Sequence, residues 1–124
     1  MLEKYQQIVS MLLTLTNEGK VEWEKTSGDE YKVKVGNCYI SILLHEANPS
    51  FMVNATPDVT YLRLKLWNQN GELLDDEKVE KREYGSTDYD SLMSLYHAAR
   101  RAYGKVYVTL DTIISDLTEA SKDS

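Results

Sequence analysis

One cysteine, two prolines, one phenylalanine and two histidines are all that this 124-residue chain has of those residues. Each shortage excludes something. With Cys38 alone, the chain can form no internal disulfide and no thiolate cage around a metal. Cys38 sits in an apolar alternating stretch and reads as a small buried hydrophobe. His45 and His97 stand far apart in sequence, and no H-E-x-x-H or similar spacing exists, so no metal site is expected. The six glycines are scattered at turns, with neither a G-x-G-x-x-G nor a Walker pattern to cradle phosphate. A G-x-S-x-G nucleophile elbow is also missing. No cofactor is expected, and no enzymatic activity, because no nucleophile–base pair or metal set can be assembled by spacing.

No apolar run approaches the ~20 residues that span a bilayer. The opening "MLEKYQQIVSMLLTLTNEGK" mixes early charges and interrupts its apolar residues with polar ones, unlike a signal peptide. A cytoplasmic protein with no membrane partner is the expectation. Positive charge is short too. Fourteen Lys and Arg face twenty Asp and Glu, for a net charge of −6. That balance argues against non-specific nucleic-acid binding through a general field. It is compatible with an acidic phage-type inhibitor that imitates nucleic acid. Nine tyrosines against one phenylalanine suit half-wet surfaces and interfaces.

What is present is periodic. Leu2, Tyr5, Val9, Leu12, Leu13 and Thr16 mark one face of a helix that should stop near Asn17 or Glu18, with Gly19 as its left-handed end. Alternation follows in "KVEWEKT", again at Tyr31, Val33 and Val35, and again in "CYISILLH" with Ile40, Ile42 and Leu44 on one face. Gly36-Asn37 joins two of these strands. Glu46 to Val59 holds both prolines and breaks the pattern, as a long loop or a short edge strand. Leu62, Leu64 and Leu66 alternate with Tyr61, Arg63, Lys65 and Trp67 before a turn at Asn68 to Gly71. "DDEKVEKREYGS" reads as a charged strand end and linker. Thr87 with Asp90 resembles a capping box. Leu92, Leu95, Tyr96, Ala99 and Tyr103 predict a buried helical stripe, and a last helix is expected from about Val108 to Glu119. The whole is one α+β domain over residues 1–124: an N-terminal helix, an antiparallel sheet of about five strands, and two C-terminal helices packed on one sheet face.

Three groups stand out as candidate contacts. Tyr61, Arg63 and Trp67 would lie on the open face of the sheet, where a second subunit or protein partner could close over them. Phe51 and Met52 would form an apolar loop tip. Arg100 and Arg101, within "SLYHAARRAYGK" (Ser94 to Lys105), could hold a small anionic, nucleotide-like ligand with an aromatic neighbour. They equally suit the negative end of a helix dipole.

The stretches "TNEGKVEW" (Thr16 to Trp23), "NQNGELL" (Asn68 to Leu74) and "LMSLYHAARRAYGKV" (Leu92 to Val106) resemble a group of small bacterial proteins of uncharacterised function. The shared patterns are T-x-x-G-K-V-x-W and L-Y-x-x-A-R-R. The resemblance covers most of the chain outside Glu46 to Val59. Such proteins are often encoded near mobile elements or phage genes, which implies a regulatory or defence-linked role. A non-enzymatic, self-associating interaction module is therefore the leading expectation, with nucleotide-like ligand binding and nucleic-acid imitation as alternatives.

Overall fold

The computed structural model describes residues 1–48, 58–82 and 86–122. Phe51 and Met52 lie outside the described residues, as does most of the Glu46 to Val59 segment. The chain runs α1 (Glu3–Asn17), β1 (Trp23–Ser27), β2 (Glu30–Val35), β3 (Cys38–His45), β4 (Tyr61–Trp67), β5 (Leu73–Glu80), α2 (Thr87–Tyr103) and α3 (Val106–Lys122). The strands form one antiparallel sheet in the order β1-β2-β3-β4-β5. This is an α+β fold with an N-terminal helix, a five-stranded open sheet and two C-terminal helices, as the sequence indicates.

Helix α1 buries Tyr5, Val9, Leu12 and Thr16, spaced four, three and four residues apart. It stops where the sequence says it should. Gly19 takes φ +71°, a conformation that costs a side-chain-bearing residue about 1–2 kcal/mol. There its N–H reaches Thr16 O and the Lys20 N–H reaches Leu15 O at 2.9 Å, closing the last free carbonyls of the helix.

Period-two alternation puts the apolar residues of neighbouring strands side by side. Ile40 pairs with Val33 and Leu66, and Ile42 with Tyr31 and Leu64. These residues, with Leu44 and Leu62, make the face under the helices. Helix α2 crosses all five strands and packs against α1. Leu92, Leu95, Tyr96 and Ala99 are its buried stripe. Tyr103 was expected in that stripe but is 46% exposed. It is the last residue of α2, and its ring touches Tyr31 at 5.7 Å between centroids instead of entering the core.

Two boundaries differ from expectation. The N-cap of α2 is Ser86, one residue before the expected Thr87; its backbone is extended and its hydroxyl accepts from the Tyr89 N–H. Between α2 and α3 the left-handed residue is Lys105 (φ 51°), while Gly104 keeps a φ of −72°. Helix α3 starts there, earlier than expected. Among the described residues it approaches only α2. Its apolar side chains Val106, Leu110, Ile113, Ile114 and Leu117 are all exposed.

Strand β5 carries the run Asp75-Asp76-Glu77, which alternation splits between faces. Asp75 accepts from the Tyr5 hydroxyl on the helix side, and Asp76 takes Arg63 on the open side. These carboxylates have partners, and by pointing inward at an edge they also discourage pairing with another chain.

Candidate functional site

The open sheet face gathers Tyr61, Arg63 and Trp67 as expected, with neighbours from the four other strands. Trp67 donates its indole N–H to Ser41 Oγ at 2.9 Å. Ser41 in turn donates to Glu30, which also accepts from Lys65 at 3.1 Å and from Thr26 at 2.7 Å. Lys32 sits 4.8 Å from the centroids of both Tyr39 and Trp67. At the other end, Tyr61 lies under Lys78 at 4.4 Å and Arg63 at 5.3 Å and stacks on His45. Arg63 pairs with Asp76 at 2.7 Å, and His45 with Asp58 at 2.9 Å.

Burial raises the Glu30 carboxyl, but the hydrogen bonds from Thr26, Lys65 and Ser41 outweigh it and hold the group below its ordinary value. The hydrogen bond from His45 holds Asp58 low as well. Tyr61, Arg63, Lys65 and Trp67 are all half-buried because rings and aliphatic stems lie flat over one another. This face alternates signs; its carboxylates are not set in a row like phosphates.

A second surface was not legible in the sequence. Ile8, Met11, Leu12 and Leu15 of α1 stand opposite Val35, Ile40 and Leu66 of the sheet, around a groove of about 300 Å³. Almost nothing polar lines it. Cys38, expected to be buried, is half-exposed at its wall. The groove exists because α1 covers only part of the strand ends and no other described element closes it. Recognising it needs the register of β2, β3 and β4, which brings Val35, Cys38, Ile40 and Leu66 to one end of the sheet.

The third surface is α3. Val106, Leu110, Ile113 and Leu117 recur at spacings of four, three and four, so they line one side of the helix, with Ile114 beside them. Leu117 is 65% exposed and Ile114 61%. β-Branched residues crowd this helix (Val106, Val108, Thr109, Thr112, Ile113, Ile114), and they are poor helix formers alone.

Arg100 and Arg101 end α2, where they oppose the helix dipole. No ion pair holds either of them among the described residues. They open onto a cavity at the α2–α3 joint that also takes in Lys25 and His97.

Among the described residues, no three His, Cys, Asp or Glu side chains converge where a metal ion could be held, and no helix is long and apolar enough to cross a membrane. Comparison with protein-family models, curated proteins and solved structures finds no match.

Proposed function

We propose that this chain is a non-enzymatic, self-associating interaction module in which α3 of one copy lies in the α1–sheet groove of a second copy. One observation carries the reading. Among the described residues, an apolar groove is filled by no side chain and an apolar helical stripe is covered by none. A two-fold pair uses both surfaces twice, which is the closed arrangement most homodimers adopt. Helix α3 also needs a partner on its own account. Its β-branched residues favour helix poorly, and among the described residues it packs only on α2, so most of its stability must come from packing of its apolar face. Burying Leu110, Ile113 and Leu117 would stabilise it at about 25 cal/mol per Å² of apolar surface.

The sheet face around Trp67 takes a lesser part in this reading, since its donors and charges already have partners within the chain. The two surfaces separate experimentally. Sedimentation equilibrium on the wild type is expected to show a dimer at micromolar concentration. Ile113→Asp spoils the stripe and Met11→Asp the groove, and both sites are exposed enough to leave the fold intact. Each variant alone should be monomeric. Mixed, they should associate again more weakly than wild type, because the intact α3 of the Met11→Asp chain meets the intact groove of the Ile113→Asp chain and restores one of the two contacts. Trp67→Ala should remain dimeric. A monomeric wild type would overturn self-association. A mixture that stays monomeric would overturn the groove as the seat of α3. Dissociation by Trp67→Ala alone would move the contact to the sheet face.

A further inference from the structure

The joint between α2 and α3 holds a cavity of about 480 Å³, large enough for a small ligand. Lys25 comes to it from β1, and His97, Arg100 and Arg101 come from the last turns of α2. No carboxylate is among its lining residues. In a chain of net charge −6 that is a local reversal of sign. Lys25, Arg100 and Arg101 are exposed and make no ion pair with a described residue, and Lys25 lies 6.0 Å from the centroid of the Tyr31 ring. On the open sheet face, by contrast, Arg63 pairs with Asp76, Lys65 with Glu30, and Lys32 lies over two rings.

Countering the helix dipole accounts for the two arginines but not for Lys25, which belongs to a strand. Nor does it account for the tyrosine pair at the same place. Tyr31 is buried and Tyr103 is half out, with the ring centroids 5.7 Å apart and the planes at 54°. Tyr103 therefore offers a ring supported by another ring, next to three cations.

We propose that this cavity binds a phosphomonoester carrying a planar ring, of the nucleoside monophosphate class. Arg100 and Arg101 take the phosphate, because a guanidinium donates in a fork that fits two phosphate oxygens. Lys25 adds a point charge from β1, and Tyr103 stacks on the base. The site is open to solvent, so binding is modest and weakens with salt. It lies apart from the α1–sheet groove and meets the α3 stripe at Val106, the first residue of that helix, so its residues need no second copy.

Isothermal titration of the full chain with the four ribonucleoside 5′-monophosphates and with inorganic phosphate, at low ionic strength, tests this. At least one nucleotide is expected to bind in the micromolar to submillimolar range, with inorganic phosphate at least tenfold weaker. Arg100→Gln with Arg101→Gln should weaken that nucleotide tenfold or more. Lys25→Gln, on a separate element, should weaken it less, and Tyr103→Ala should bring it down to the level of inorganic phosphate. Circular dichroism confirms that each variant is folded, and the strand and helix variants serve as checks on each other. Absence of nucleotide binding at millimolar concentration would overturn the proposal. So would equal affinity for nucleotide and phosphate, or affinity unchanged by both the arginine and the lysine substitutions.

Discussion

Trp23 donates its indole N–H to Thr16 Oγ at 3.0 Å, seven residues back along the chain. Both side chains are buried. Thr16 passes the bond on, donating its hydroxyl to Leu12 O at 2.6 Å. Between them Gly19 reverses the chain. The pattern T-x-x-G-K-V-x-W therefore has a physical content: a helix stop whose two ends are fastened by one hydroxyl. Thr16→Val keeps the shape and removes the acceptor, leaving a buried indole N–H without a partner. The expected loss is about 1–3 kcal/mol. Thr16→Ser should restore most of it. Urea denaturation midpoints of the three proteins check this. A Thr16→Val midpoint equal to wild type would show that the indole finds another acceptor and that the pattern is set by Gly19 alone.

The same pattern shows what a single sequence can and cannot tell. Helix α1, its stop at Gly19 and the alternation of Ile40, Ile42 and Leu44 follow from local periodicity and turn chemistry, so they were legible. The cap at Ser86 was misplaced by one residue because serine and threonine adjoin and both can cap. Tyr103 falls on the core-facing side by periodicity, which says which face a residue is on, not whether the sheet still lies beneath it. Periodicity predicts a last helix, but not that its apolar side, with Leu110, Ile113 and Leu117, stands exposed. The cluster around Glu30 draws on β1, β2, β3 and β4, and the groove on both α1 and the sheet. Such surfaces are set by register and by how far one helix reaches across the strands, quantities that no local pattern records.

Glu30 makes the open face sensitive to acid. Its carboxyl is pulled up by burial and down, more strongly, by hydrogen bonds from Thr26, Lys65 and Ser41. With a folded value below the ordinary 4.5, the group contributes its full stabilisation above about pH 4.5. That contribution is lost as pH falls through the folded value, because the folded state gives up the carboxylate last. Glu30→Gln keeps the shape and loses the charge. It should lower stability by about 1–2 kcal/mol at pH 7. The gap between wild type and variant should close as the pH is taken down towards 3. Denaturant unfolding at a series of pH values measures it. A gap that stays constant to the lowest pH would mean that the charge on Glu30, with its bonds from Thr26, Lys65 and Ser41, contributes nothing net.

Tyr5 provides the opposite dependence. Its ring is in the core of α1, and its hydroxyl donates to Asp75 on the edge strand β5. Burial first, and then the bond to Asp75, push the phenol from 10 up to about 12. A raised acid favours the protonated form in the folded state. The contribution is complete below about pH 10 and is lost as pH rises from 10 towards 12, where the unfolded chain ionises first. Tyr5→Phe preserves the packing and removes both the bond and the titration. It should cost about 1 kcal/mol at neutral pH. Buried Tyr89 and Tyr96 are shifted upward too, so the variant will still weaken in alkali. The difference between the two proteins is therefore the quantity to follow. It should be flat from pH 7 to 10 and shrink above that, as wild type loses what the variant never had. A difference that is flat throughout would show that Asp75 holds the hydroxyl no better than water does, and that α1 is fixed to the edge strand by the ring alone.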